Sequence, residues 1–225
     1  MNVATFVAQA RDIRRPADWA RELHDAIELT LNQMAALVLL LLLSPLLLTV
    51  SFLIWQRDGS PILFRHYRVG QDGKLFPCMK FRSMLRESDQ VLAELLRDDP
   101  VARAEWERDQ KLTHDPRITP VGKFLRVTSL DELPQLFNVL RGDMHLVGPR
   151  PITVAELDRY GRARWHYLSV RPGITGLWQV SGRNNTSYEE RVALDQRYVE
   201  QRSLLGDVGI LIKTVRVVLL REGAR

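Results

Sequence analysis

Hydrophobic positions divide the chain into three unequal parts. Residues Met34 to Trp55 read MAALVLLLLLSPLLLTVSFLIW, a run without a single charge. At 1.5 Å per residue this predicts a helix of about 33 Å, long enough to cross a bilayer. Ahead of it, Trp19, Leu23, Ile27 and Leu31 recur at helical spacing, so residues 1–33 read as an amphipathic lead-in. Behind it, residues 56–225 alternate short apolar runs with polar and glycine- or proline-rich breaks, the pattern of a folded domain.

Within that domain the segment Ile62 to Ser83 predicts two short strands joined at Asp72-Gly73. Helices are predicted over Val91–Leu112 with a break near Pro100, over Ser129–Leu140, over Val154–Tyr167 and over Tyr188–Leu220. Arg141–Pro151 reads as an irregular loop, and the glycines and prolines of RPGITGLWQVSGRNN, residues 171–185, exclude a long helix there. The expected fold class is α/β, mostly helical with few short strands.

Two features complicate a plain spanning helix. Pro45 removes a backbone hydrogen bond near the middle of the apolar run, and the Ser44 hydroxyl can satisfy the carbonyl thereby freed. Basic residues flank both ends: Arg11, Arg14, Arg15 and Arg21 before, Arg57, Arg65, Arg68 and Lys74 after. Positive charge on both sides favours keeping both flanks in the cytoplasm. On residues alone, a re-entrant helix bent at Ser44-Pro45 and a single span both remain open. A cleavable leader fits poorly, because no small-residue cleavage site follows the apolar run.

The 225 residues carry a formal net charge of +5, with 45% hydrophobic and 26% charged positions. That excludes a largely disordered chain. Much of the positive charge flanks the greasy segment and no nucleic-acid-binding signature is present, so nucleic acid is not an expected partner. The lone Cys78 cannot form an internal disulfide and reads as a packed core thiol.

Candidate chemistry concentrates in TSLDELPQLFNVLRGDMHLVGPRP, residues 128–151. Asp131 and Glu132 are adjacent carboxylates at an expected helix start. Ser129 and Glu132 have the spacing of a capping box, which would make the pair a local stabiliser and nothing more. Their neighbourhood argues otherwise. Arg126 precedes them, Arg150 follows in a Gly-Pro-Arg-Pro loop, Lys80 and Arg82 lie in the KFRS run, and Arg171 and Arg183 bracket the glycine-rich segment. Arginine and lysine are the usual partners of phosphate oxygens. A carboxylate pair among them is what divalent-metal phosphoryl chemistry needs: one to hold Mg²⁺, the other to attack phosphorus. Asp207 reads either as a helix N-cap or as a site residue. A non-catalytic membrane scaffold is the rival reading of the same charges.

The segments KFRSM, LDELPQLFNVLRGDMHLVGPRP and RPGITGLWQVSGRN resemble the bacterial sugar transferase family, the monotopic phosphoglycosyl transferases, in the family's order and from about Leu29 onward. The resemblance is to short members that begin exopolysaccharide repeat units with galactose-1-phosphate or glucose-1-phosphate. It implies Asp131 as nucleophile, a covalent phosphosugar-aspartate intermediate, and Glu132 as the Mg²⁺ ligand. It implies phosphate binding by Arg126 and Arg183, with Lys80, Arg82 and Arg150 as neighbours, and a required but undefined role for Asp207. Its Ser-Pro bend implies the re-entrant form: a membrane-associated monotopic domain with residues 34–55 as the re-entrant helix hairpin and 56–225 as the cytoplasmic catalytic domain. The partners implied are a UDP-hexose, galactose before glucose, undecaprenyl phosphate and membrane lipid, at the cytoplasmic face of the bacterial inner membrane. A homodimer is compatible with this reading.

Overall fold

The computed structural model describes residues 19–109, 112–182 and 186–220. Its largest element is helix α1, Trp19–Asp58, 40 residues and about 60 Å long. Residues 19–33 of the lead-in and the apolar run are thus one helix, long and apolar enough to cross a membrane, and the rest of the lead-in, residues 1–18, lies outside the described residues. Helical backbone continues through Pro45, so the expected hairpin is not formed as two arms here. Ser44 Oγ donates to Leu41 O at 2.8 Å, the carbonyl that a residue with an N–H at position 45 would have used.

Strands β1, Leu63–Val69, and β2, Leu75–Phe81, form an antiparallel hairpin in which Leu63 faces Phe81 and Val69 faces Leu75. The expected turn sits at Gln71–Gly73, where Asp72 and Gly73 take positive φ. Two helices follow, α2, Ser88–Asp98, and α3, Pro100–Asp109, separated at Pro100 as the sequence predicts. Asp99 Oδ1 accepts from Val101 N and Ala102 N at the start of α3. Helix α4, Pro120–Val127, is capped by Thr119, whose hydroxyl accepts from Gly122 N.

The expected helix over Ser129–Leu140 is instead a tight 3₁₀ turn, Leu130–Glu132, followed by α5, Gln135–Arg141. After α5 come β3, His145–Val147, then α6, Val154–Arg159, α7, Arg164–Leu168, and β4, Gly173–Thr175. β3 and β4 pair in parallel, an arrangement the sequence reading did not anticipate. Glycine makes it possible. A Cβ on Gly173 would overlap the Gly148 amide nitrogen, and one on Gly176 would overlap the Gly148 carbonyl oxygen. The expected helix over Tyr188–Leu220 breaks at Arg202, giving α8, Tyr188–Gln201, and α9, Leu204–Leu220.

One stripe of α1 forms part of the core. Ala36 joins Phe76, Cys78, Leu136, Val139 and Met144, while Val50 and Ile54 join Phe81 and Leu125. The opposite side keeps Leu41, Leu42 and Leu48 about 70% exposed. A third cluster, with Val69, Ile152, Tyr160 and Tyr167, lies under the loop that carries Arg150.

Candidate active site

The turn Leu130–Glu132 owes its shape to its ends. Ser129 is in the left-handed region at φ 57° and makes no capping bond, and Pro134 cannot continue a hydrogen-bonded turn as a donor. The capping-box reading of Ser129 and Glu132 therefore fails. The Glu132 carboxylate turns instead toward basic side chains. Its Oε1 accepts from Lys80 Nζ at 2.7 Å and from Arg150 Nη1 at 3.3 Å. Three elements meet in this contact: the end of β2, the 3₁₀ turn, and the loop after β3.

Asp131 has a different environment. It is 9% exposed, and among the described residues its carboxylate makes no hydrogen bond. Burial, then the neighbouring Glu132 charge, push its pKa above the ordinary aspartate value, against the pull of Lys80, Arg126 and Arg150. Burial alone would also raise Glu132, but the Lys80 ammonium and the Arg150 guanidinium outweigh it and hold that carboxyl at about 2. The pair is thus differentiated: Glu132 is ionised and engaged, Asp131 is ionisable and free. Arg126 is close enough for its charge to act on Asp131, and its Nε donates to Ser83 Oγ at 2.9 Å.

A small polar pocket is lined by Arg68, Cys78, Lys80, Glu132, Gln135 and Arg150. Its free volume is only about 10 Å³, room for about one water. Any phosphate must part the two ion pairs to enter, offering its own oxygens to Lys80 and Arg150 as it does so. An apolar groove of about 700 Å³ lies against α1, lined by Leu47, Leu48 and Ser51 of the helix, by the start of β1 with Arg65 at its rim, and by Pro134 and Phe137.

Not every expected site residue converges here. Arg82 does not join Lys80, because β2 ends between them. Its Nη2 donates to the carbonyls of Asp58 at 2.6 Å and Gly59 at 2.7 Å, closing the C-terminal end of α1. Arg171 is likewise structural: its Nε donates to the Gly142 carbonyl at the end of α5. Arg183 lies outside the described residues. Asp207 sits in the first turn of α9, where Ser203 Oγ accepts from Gly206 N, and its Oδ1 accepts from Tyr198 OH at 3.0 Å. It is not beside Asp131; its neighbours are Glu28, His145 and Arg202, and burial raises its pKa to about 6.

Arg68 was missed as a site residue, although its register held the clue. In the β1–β2 pairing it faces Phe76, on the side of the hairpin that also presents Cys78 and Lys80. Its Nη1 donates to Glu156 Oε2 at 3.1 Å, and Glu156 closes a capping box with Thr153 on the loop that carries Arg150.

The carboxylates suit Mg²⁺ by donor chemistry. Glu132 Oε2 makes no hydrogen bond among the described residues, and Asp131 lies next to it. Those residues contain no cluster of three or more His, Cys, Asp or Glu able to cage a metal. One or two carboxylates, with phosphate oxygens completing the shell, is the usual way Mg²⁺ is held.

The family model described as bacterial sugar transferase matches residues 23–221. The chain is 56% identical over 195 residues to an undecaprenyl-phosphate galactose phosphotransferase of Salmonella typhimurium, covering 87% of this chain and 41% of that protein. It is 49% identical over 191 residues to the exopolysaccharide production protein ExoY of Rhizobium meliloti, covering 85% and 84% respectively. It is 40% identical to a UDP-glucose:undecaprenyl-phosphate glucose-1-phosphate transferase of Escherichia coli, covering 80% of this chain and 37% of that one. The chain spans about two fifths of the length of the first of these relatives. On this match, the chain belongs to the bacterial sugar transferase family.

Proposed function

We propose that the protein transfers a hexose-1-phosphate from a UDP-hexose to undecaprenyl phosphate, beginning an exopolysaccharide repeat unit. The observation that carries this reading is the buried, unpaired Asp131 carboxylate beside a Glu132 already committed to Lys80 and Arg150. Galactose is the first choice of sugar and glucose the second, since relatives named for each are similar to this chain.

In the first step a carboxylate oxygen of Asp131 attacks the phosphorus bonded to the sugar oxygen. The anhydride bond between the two phosphorus atoms breaks, and UMP leaves with the bridging oxygen. In the second step an oxygen of undecaprenyl phosphate attacks the same phosphorus and expels the Asp131 carboxylate, giving a lipid diphosphate sugar. Lys80, Arg126 and Arg150 neutralise charge on the transferring group, which lowers the barrier to both attacks. Arg183 is assigned to the donor phosphates by family resemblance. Glu132, with Asp131 beside it, would hold Mg²⁺; when bound, the ion screens the diphosphate oxygens.

The apolar groove beside α1, bounded by Pro134 two residues after Glu132, suits the isoprenoid tail of such an acceptor. Both ends of α1 favour a seat on one face of the membrane. Near its start Asp25 accepts from Arg202 at 3.3 Å, and at its end Asp58 is tied to Arg82 and Thr119. A helix with both ends fixed to one domain cannot carry them to opposite sides of a bilayer. The apolar run then lies in the cytoplasmic leaflet of the inner membrane.

The test is UMP release by purified protein with Mg²⁺, undecaprenyl phosphate and a panel of UDP-sugars, beside Asp131→Asn. The expected result is release from one UDP-hexose, lost in the variant and on removal of Mg²⁺ by chelator. Release that persists in a folded Asp131→Asn protein would remove the nucleophile from this mechanism.

A further inference from the structure

The lead-in part of α1 carries a row of polar side chains at helical spacing: Asp25, Glu28, Asn32 and Gln33. A merely solvated lead-in would leave such residues in water. Glu28 is instead only 6% exposed, and each of the four reaches a partner on the catalytic domain. Asp25 Oδ1 accepts from Arg202 Nη2 at 3.3 Å. Glu28 Oε1 lies 3.4 Å from His145 Nδ1, and its Oε2 lies 3.5 Å from Arg202 Nη2. Asn32 Oδ1 accepts from Leu146 N at 2.8 Å, and Gln33 Nε2 donates to Leu140 O at 3.0 Å.

The partners are not scattered. His145 and Leu146 belong to β3, which leads into the loop of Arg150. Leu140 lies in the last turn of α5, the helix that follows the Asp131–Glu132 turn. Arg202 joins α8 to α9. Tyr198 extends the same row, because its hydroxyl is 3.2 Å from Val147 O and 3.0 Å from Asp207 Oδ1. The polar row ends at Gln33, and the uncharged run begins at the next residue, Met34. A helix is a stiff strut, so wherever this row grips the domain, the boundary between polar and apolar surface is fixed as well.

We propose that Asp25, Glu28, Asn32 and Gln33 act as a latch that sets the height of Asp131 above the lipid surface, making them positioning residues for attack by the lipid-borne phosphate. The proposal rests on the membrane seating of α1 given above. Group transfer between a water-soluble donor and a membrane-held acceptor tolerates little error in height, since a misplacement of about 1 Å can cost on the order of 100-fold in rate. The donor arrives from water and needs no such alignment. The latch therefore bears on the second step and leaves the first alone.

The experiment compares the full chain with Glu28→Gln/Arg202→Gln and with Asn32→Ala, all in phosphatidylglycerol–phosphatidylethanolamine vesicles. Three quantities are read: the burst of UMP from UDP-galactose without acceptor, kcat/KM for undecaprenyl phosphate, and the membrane depth of a nitroxide on Leu37→Cys in a Cys78→Ser background. The expected result is an unchanged burst, a loss in kcat/KM for the lipid of about tenfold, and a shifted label depth. Equal losses in burst and lipid step would mark general damage and overturn the latch, as would variants that alter neither lipid step nor depth. A label outside the lipid in the unaltered protein would overturn the seating and the latch together. A missing burst in the unaltered protein counts against the proposed reaction, while label depth still reads the latch.

Discussion

Lys80 Nζ and Glu132 Oε1 are 2.7 Å apart, and this contact separates the roles of two adjacent carboxylates. The ammonium stabilises the ionised form of both, but it bonds only Glu132. Asp131 is left with a raised pKa, reached through burial and the charge of its neighbour. In the proposed reaction Asp131 must be ionised to attack phosphorus, so activity is expected to fall on the acid side at a pH above the ordinary aspartate range.

Lys80→Met moves that limit. With the cation gone, nothing at this position opposes the burial of Asp131 or the charge of Glu132, so both carboxyls hold their protons to higher pH. The pH–rate profile of UMP release is expected to shift its acid limb upward, with activity at pH 7 lower by at least about tenfold. An unshifted limb would mean that Lys80 does not set the ionisation of Asp131.

Arg82→Ala separates a phosphate ligand from a helix closure. The carbonyls of Asp58 and Gly59 lose a buried donor, a cost of about 1–3 kcal/mol. Thermal unfolding is expected to drop by several degrees, at about 2–4 °C per kcal/mol for a chain of this size. KM for the UDP-sugar is expected to stay within about twofold. A large rise in KM without loss of stability would return Arg82 to the donor site.

Asp195→Asn tests a buried carboxylate away from the proposed chemistry. Asp195 is 2% exposed and accepts from Tyr160 OH at 2.8 Å. Burial raises its pKa to about 7, whereas the unfolded chain ionises it near 4. Between about pH 4 and pH 7 the folded state binds more protons, so this group makes stability fall as pH rises. Asparagine keeps the Tyr160 bond and removes that slope. Melting curves at pH 5 and pH 8 are expected to favour the variant more at pH 8, by about 5 °C.

Gly173→Ala tests the joint between two motif loops. The added methyl would meet the Gly148 amide and the Val147 carbonyl carbon, both backbone atoms held in the β3–β4 pairing. Because backbone cannot move aside as a side chain can, the expected result is severe destabilisation or insoluble protein. Gly161→Ala is a control for added bulk: its Cβ would meet nothing within 4 Å, although its φ of +52° carries a backbone cost of its own.

The sequence was informative where local chemistry decides structure. Asp72-Gly73 announced the hairpin, Pro100 the break between α2 and α3, and the uncharged run the core of α1. The basic residues Lys80, Arg126 and Arg150, grouped with Asp131 and Glu132 on the sequence, do lie near them in space. Elsewhere, contacts distant in sequence decided. Arg82 resembles Lys80 at the level of residue type, and only the end of β2 sends its guanidinium to α1. The three-residue strands β3 and β4 are too short to announce themselves and pair through glycines that read as loop. Ser129 has capping chemistry but a left-handed backbone. The polar row on α1 has the look of a solvated face until its partners, more than a hundred residues away, are seen against it.

Asn138 has one further consequence. It is fully buried, its Oδ1 accepts from Met79 N at 3.0 Å, and its Nδ2 donates to Pro77 O at 2.8 Å. A single amide thus does the work of a third strand along the outer edge of β2. A two-stranded ribbon is open on both sides to pairing with a stray chain, and such edges seed aggregation. Here the donor and acceptor that a foreign strand would seek are already taken, and Pro77 offers no N–H. Asn138 thereby closes this stretch of β2 against edge-to-edge association.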